Sequence, residues 1–127
     1  MTEPVALQID RMILREIRLE LREPFRISSG IVVDRRIALL ELFDATGARS
    51  WSECVALQLP NYTSETIETA WLAMRDWLAP RIIGQRFDSP ERIHAVLEKN
   101  IRGHNMAKAA VEMGCWGVAA TLRNTSL

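Results

Sequence analysis

The sequence predicts an α+β domain, in which a three-stranded antiparallel meander is followed by a layer of three helices. Residues from about 9 to 57 alternate between apolar and polar side chains, a pattern that is typical of strands. Residues from about 63 to 123 repeat their apolar side chains every three to four positions, which is typical of helices. Because strands and helices are segregated along the chain, we expect the helices to pack on one face of the sheet.

The size of the chain limits its organisation. It has 127 residues, of which 48% are hydrophobic and 25% charged, as in one soluble globular domain with a single core. A domain of this size needs neither a disulfide nor a structural metal to fold. A (β/α)₈ barrel needs about 250 residues, so a complete barrel is excluded and residues 1–127 are predicted to form one domain.

The first strand is predicted to be half-solvated, since Ile17, Leu19 and Leu21 alternate with charged residues. A break is expected at Pro24, because proline cannot donate a ladder hydrogen bond. The second strand is predicted at residues 31–43 and the third at residues 50–55, with a turn at residues 44–47 between them.

Start and stop signals delimit the first two helices. Thr63 or Ser64 is the predicted N-cap of the first helix, which Pro80 ends. Ser89 is the predicted cap of the second, with Pro90 at the first helical position. Their apolar stripes are Ile67, Ala70, Trp71, Met74 and Leu78 in the first, and Ile93, Val96, Leu97 and Ile101 in the second.

The third helix is predicted to follow Gly103, with Asn105 as its cap, and to run from Met106 to about Arg123. It is rich in small residues: Ala107, Ala109, Ala110, Gly114, Gly117, Ala119 and Ala120. Glycine lowers helix propensity by about 1 kcal/mol, so we expect close packing of another backbone against this helix to compensate.

The charges exclude some classes of partner. Sixteen Lys and Arg balance sixteen Asp and Glu, and the two signs are interleaved along the chain. A nucleic-acid-binding or anionic-membrane-binding surface needs a basic excess, so neither partner is expected. No apolar run approaches the roughly 20 residues of a membrane span, and residues 1–4 do not resemble a signal peptide, so a cytoplasmic location is expected.

Few residues suggest chemistry. Cys54 could pair with His94 or His104 as a thiol–imidazole couple, but buried free thiols are the favoured interpretation of Cys54 and Cys115. Glu53 is an acid flanked by apolar residues on a strand, where burial could raise its pKa. An ion pair between Glu53 and an arginine is the favoured interpretation.

Metal and phosphate sites are not indicated. No Asp, Glu and His residues have the spacing of metal ligands, and the isolated glycines do not form a phosphate-binding loop. His104 and Lys108 share a helix face, where a solvated pair is expected.

Several strings, in this order, resemble the N-terminal capping domain of the enolase superfamily, in its muconate-lactonizing subgroup. The branch of o-succinylbenzoate synthase and N-acylamino acid racemase is the most similar. The matching strings are Pro24-Phe25-Arg26-Ile27-Ser28-Ser29-Gly30, Trp51-Ser52-Glu53-Cys54-Val55-Ala56 with Pro60-Asn61-Tyr62, Gly103-His104-Asn105-Met106-Ala107-Lys108-Ala109-Ala110-Val111-Glu112-Met113, and Leu122-Arg123-Asn124-Thr125-Ser126-Leu127.

The resemblance implies one domain of a two-domain enzyme, whose barrel carries the catalytic lysines and three carboxylates that bind Mg²⁺. Such an enzyme dehydrates or racemises a small carboxylate substrate through an enediolate. This chain would supply no catalytic residue and no metal ligand, would be inactive alone, and would have its own missing barrel as partner. The substrate-binding residues that the resemblance implies are Phe25, Ile27, Ser28, Ser29 and Gly30 in a first loop, and Cys54, Val55, Ala56, Leu57 and Tyr62 in a second.

A second hypothesis is a stand-alone interaction domain derived from such an enzyme. The surface that would face a barrel, including the small-residue helix from Met106 to Ala120, would then be exposed. Another copy of the chain would cover it, giving a homo-oligomer.

Overall fold

The computed structural model describes residues 5–28 and 30–127, and it has the predicted α+β architecture. Within these residues, four strands form one antiparallel sheet in the order β3-β2-β1-β4. The strands are β1 (Leu7–Ile27), β2 (Gly30–Asp44), β3 (Arg49–Cys54) and β4 (Arg86–Phe87). The sequence did not indicate β4, because two residues are too few to show an alternation.

The two faces of the sheet differ in burial. In β2, Ala38, Leu40 and Leu42 are fully buried beneath the helices, while Leu39 and Phe43 on the other face are only partly buried. Successive side chains of a strand point to opposite faces, so a single layer of helices buries one set and leaves the other open. The segregated order of strands and helices therefore produces a two-layer domain with one open sheet face.

β1 does not end at Pro24, so the predicted break is wrong. Glu20 pairs with Asp34 and Phe25 pairs with Val32, which leaves residues 21–24 of β1 opposite a single residue of β2. A bulge of this kind removes residues from the ladder. Pro24 is accommodated there because its missing N–H has no ladder partner to lose.

The helical layer contains α1 (Ile67–Leu72), a π-helical turn (Ala73–Leu78), α2 (Ala79–Ile82), a 3₁₀ turn (Pro90–Arg92), α3 (Ile93–Glu98) and α4 (Asn105–Leu122). Within the part of the chain that the structure describes, no helix combines the length and the apolar character needed to cross a membrane.

The start and end of the first helix differ from the prediction. Its N-cap is Thr66, which forms a reciprocal capping box with Thr69, rather than Thr63 or Ser64. Pro80 does not end the helix, because the π-helical turn that precedes it shifts the backbone hydrogen bonding by one residue.

Ser89 and Pro90 begin the second helix in the predicted positions, but the Ser89 side chain forms no capping hydrogen bond. α3 ends at Glu98 instead of continuing to Gly103. Asn100 has a positive φ of 59°, which is incompatible with a continuing helix. His104, rather than Asn105, occupies the N-cap position of the last helix.

The glycines of α4 let this helix approach the sheet closely. A Cβ atom on Gly114 would lie 2.6 Å from Cδ1 of Leu42, and one on Gly117 would lie 2.8 Å from Cβ of Ser50. Ser50 Oγ donates to the carbonyl of Gly114 at 2.6 Å, and Ser52 Oγ donates to that of Ala110 at 2.7 Å. The expected close packing is confirmed. Gly114 and Gly117 contact this domain's own sheet, whereas Ala109 is exposed, so the expectation of an exposed surface is wrong for these two glycines.

Two buried charges connect distant parts of the helical layer. Glu65 accepts from the backbone N–H groups of Met106 at 2.8 Å and Ala107 at 3.2 Å, and so caps the start of α4. Lys108 donates to Glu98 Oε1 at 2.9 Å and to the carbonyl of Ile101. The predicted solvated pair of His104 and Lys108 is therefore wrong, since the Lys108 side chain is buried.

Candidate functional site

A cavity of about 860 Å³ lies at one end of the domain. β3 pairs with β2 only at residues 38–43, so beyond this point β1 and β2 form a two-stranded ribbon. We call residues 19–28 and 30–35 the distal ribbon, and residues 55–64 the connecting segment. The cavity is lined by Leu21, Arg22, Glu23, Phe25, Ile27, Ser28, Val32 and Arg35 of the distal ribbon, and by Leu57, Asn61 and Tyr62 of the connecting segment.

The structure brings part of the predicted substrate-binding set together. Residues of both predicted loops line the cavity: Phe25, Ile27 and Ser28 from the first, and Leu57 and Tyr62 from the second. The two segments are more than 25 residues apart in the sequence, and they meet because the connecting segment turns back across the distal ribbon.

The other predicted site residues are placed elsewhere. Cys54 and Ala56 lie in the hydrophobic core, and Val55 is exposed outside the cavity. Gly30 pairs with Ile27 at the end of the ribbon without lining the cavity. Ser29 lies outside the described residues. A role in substrate binding stays a prediction for all ten residues.

Hydrogen bonds from both side chains and backbone hold the connecting segment in place. Arg35 Nη2 donates to the carbonyl of Val55 at 3.4 Å, and the N–H of Ile67 donates to the carbonyl of Leu57 at 2.8 Å. Glu65, which directly follows the segment, is fixed by its contacts with the start of α4. The segment has no regular secondary structure, yet it is anchored to the ribbon, to α1 and to α4.

The walls of the cavity are mostly apolar, and its charged groups are Arg22, Arg35 and Glu23. Phe25 and Tyr62 remain 60% and 78% exposed, so the cavity is open on the side where these rings stand. An open apolar cavity with a few polar groups is suited to holding part of a small organic molecule. The exposed rings are also suited to contact a further protein surface.

Several lining residues were not predicted from the sequence. Arg35 belongs to the charged triplet Asp34-Arg35-Arg36, which interrupts an otherwise apolar stretch. This interruption is the feature of the sequence that could have indicated a site residue there. Leu21, Arg22 and Glu23 face the cavity because of the bulge in β1, which the alternation of side chains does not reveal.

A cysteine nucleophile is not supported. Burial raises the pKa of the Cys54 thiol, and burial raises that of Cys115 to about 12, so both thiols stay protonated near neutral pH. His94 instead pairs with Glu112 at 2.9 Å, and the His104 ring packs edge-on against Trp77. Both cysteines are buried free thiols, as the favoured interpretation predicted.

The carboxylates do not form a metal site. Glu53 is exposed, and within the described residues it lacks the arginine partner that was expected. Among the described residues, the buried acids are Glu41, Asp44 and Glu65, and each bonds to other groups. Across residues 5–28 and 30–127, no group of three or more His, Cys, Asp or Glu side chains could hold a metal ion. These residues therefore do not fit a magnesium site.

Comparison with known families gives a match over nearly the whole chain. Residues 9–127 match the family described as "Mandelate racemase / muconate lactonizing enzyme, N-terminal domain".

The chain is also similar to complete enzymes. It is 35% identical over 116 residues to the o-succinylbenzoate synthase of Geobacillus stearothermophilus, covering 91% of the chain and 31% of that enzyme. It is 34% identical over 100 residues to the N-succinylamino acid racemase of an Amycolatopsis species, covering 79% of the chain and 27% of that enzyme. The chain thus spans about a third of the length of these relatives.

Solved structures give the same result. An enolase superfamily member from Listeria innocua matches with a TM-score of 0.87 and 31% identity, covering 92% of this chain and 31% of that one. The N-succinyl Arg/Lys racemase of Bacillus cereus matches with a TM-score of 0.82 and 30% identity, covering 91% of this chain and 31% of that one.

Proposed function

The chain belongs to the mandelate racemase / muconate lactonizing enzyme N-terminal domain family, and from this we propose that residues 1–127 are the capping domain of a larger enzyme. That enzyme would resemble o-succinylbenzoate synthase or an N-acylamino acid racemase. The domain would close the mouth of a barrel and contact the substrate, while the groups that break and form bonds would lie in the barrel.

The cavity is the observation that carries this proposal. It is built from two separate segments, its walls are apolar, and its open side exposes Phe25 and Tyr62. Large exposed aromatic side chains at the rim of a cavity indicate a surface that a further domain covers. The relatives are about three times as long as the matched region, so they contain enough additional chain for such a domain.

The role of this domain would be to enclose the substrate and to exclude water, rather than to transfer protons. Magnesium would be held outside the domain, since the described carboxylates do not fit a metal site. Lys108 is unsuited as an acid–base residue here, because its ammonium group is buried and bonded to Glu98 and Ile101. The chain's own residues would therefore act through shape, apolar contact and charge.

The packing of α4 argues against the stand-alone interaction domain. That hypothesis requires the small residues of α4 to be free to meet a second copy. Gly114 and Gly117 instead contact Leu42 and Ser50 of this domain's own sheet. We retain the capping domain as the single proposed function.

The proposal is tested by adding the missing part. Residues 1–127 are joined to the region of the Geobacillus stearothermophilus o-succinylbenzoate synthase that the chain does not match, giving a protein that we call the joined enzyme. We expect the joined enzyme to turn over an o-succinylbenzoate precursor or an N-succinylamino acid when Mg²⁺ is supplied. The 127-residue chain alone should give no turnover above background under the same conditions.

Two results would contradict the proposal. One is magnesium-dependent turnover by the 127-residue chain alone. The other is a joined enzyme that is soluble and has the circular dichroism of a folded α/β protein, yet turns over neither class of substrate.

A further inference from the structure

Arg35 occupies a central position between the two segments that form the cavity. It lies on β2, opposite Leu19 of β1, and it lines both the main cavity and the smaller one beside it. Its side chain is partly buried, and its guanidinium reaches the carbonyl of Val55 at 3.4 Å. This hydrogen bond directs the guanidinium between the distal ribbon and the connecting segment.

The neighbouring charges are already paired, whereas Arg35 is not. Arg36 forms ion pairs of 2.6 Å with both Glu16 and Glu68, and Asp34 pairs with Arg18 at 3.0 Å. Among the residues that the structure describes, Arg35 has no carboxylate partner, and its hydrogen bond to Val55 uses one of five N–H donors. Most of its hydrogen-bonding capacity is thus available to a ligand in the cavity.

The other charged groups of the cavity do not neutralise this site. Arg22 and Glu23 are both exposed to solvent on the bulge of β1, and their charges are opposite in sign. Exposed charges are strongly screened by water, whereas a charge among apolar walls is screened less. The cavity therefore presents one partly buried cation to whatever binds within it.

We propose that Arg35 determines substrate specificity by binding a terminal carboxylate on the acyl arm of the substrate. This inference rests on the proposed function. The names of the relatives share a succinyl group, which ends in a carboxylate. A planar guanidinium can donate two parallel hydrogen bonds to such a group, while Leu21, Phe25 and Ile27 would contact the methylene carbons of the arm.

A purely structural role for Arg35 makes a different prediction. If its only task were to tether the connecting segment through Val55, then removing it would impair all substrates equally. If it binds a terminal carboxylate, its removal would impair only substrates that carry one. Two racemisation substrates that differ in this group separate the two roles, namely an N-succinylamino acid and the corresponding N-acetylamino acid.

The experiment compares Arg35→Gln, Arg35→Lys and the unmodified joined enzyme with both substrates. For Arg35→Gln we expect KM for the N-succinylamino acid to rise roughly 10- to 100-fold, which is the loss of one charge-assisted interaction. KM for the N-acetylamino acid should change less than about threefold, and Arg35→Lys should recover part of the loss because it keeps the charge. Arg26→Gln, an exposed arginine of the same ribbon outside the cavity, should change neither.

The outcomes separate this inference from the proposed function. An unmodified joined enzyme that turns over neither an N-succinylamino acid nor an o-succinylbenzoate precursor argues against the proposed function itself. If the joined enzyme is active and Arg35→Gln raises KM equally for both substrates, or for neither, the assignment of Arg35 is overturned and the capping role is left intact.

Discussion

Replacing Glu65 with alanine is expected to lower the free energy of unfolding by about 3 kcal/mol. The Glu65 carboxylate is buried and accepts hydrogen bonds from the N–H groups of Met106 and Ala107. Its removal would leave two N–H groups without a partner at the start of α4. It would also remove a negative charge from the positive end of the helix dipole.

Urea denaturation followed by circular dichroism measures this loss. Glu53→Ala is the matched control, since Glu53 is an exposed glutamate and its replacement should change stability by less than about 0.5 kcal/mol. Glu65→Gln keeps one acceptor oxygen and should have an intermediate effect. Equal stability of Glu65→Ala and Glu53→Ala would show that this carboxylate does not cap α4.

Replacing Gly114 with valine is expected to cost about 3 kcal/mol or more of stability. The first added carbon would lie 2.6 Å from Cδ1 of Leu42, whose side chain is fully buried and has little space to move. The helix would have to shift away from the sheet, which would strain the hydrogen bonds from Ser50 and Ser52 to the helix carbonyls. Any gain in helix propensity over glycine is about 1 kcal/mol at most.

The exposed face of the same helix provides the control for this substitution. Ala109 is exposed, so Ala109→Val adds a similar side chain without a clash and should cost less than about 1 kcal/mol. Thermal and urea unfolding of the two variants should therefore differ clearly. A Gly114→Val protein as stable as Ala109→Val would mean that α4 does not pack closely on β2.

The sequence was sufficient to predict element types but not every boundary. Strands and helices differ in the period of their apolar residues, and that period survives local irregularities. The capping of the last helix was mispredicted because Glu65 reaches it from 41 residues earlier, a contact that no local pattern contains. Pro80 was misread as a stop because the π-helical turn before it depends on tertiary packing.

The candidate site was predicted only in part. Resemblance to a family identified the two segments, and both line the cavity through residues such as Phe25 and Tyr62. The resemblance also identified Cys54 and Ala56 as site residues, but both lie in the core. Successive residues at the end of a strand face opposite sides, so a continuous stretch includes residues that point away from the site. Arg35 was missed because the sequence of the triplet Asp34-Arg35-Arg36 does not show which of its charges is already paired.

The most direct test of the capping role compares two exposed aromatic residues in the joined enzyme. Tyr62 lies at the rim of the cavity, whereas Trp51 lies on the open sheet face beneath Arg15. Tyr62 is 78% exposed in the isolated domain, so Tyr62→Ala should leave the stability of the 127-residue chain unchanged.

In the joined enzyme, Tyr62→Ala should lower kcat/KM about tenfold or more, because the ring would become buried against substrate and barrel. Trp51→Ala should leave kcat/KM within about twofold of the unmodified protein. Both results are expected if the cavity closes over the substrate. Unchanged kcat/KM in Tyr62→Ala, or an equal loss in both variants, would contradict it.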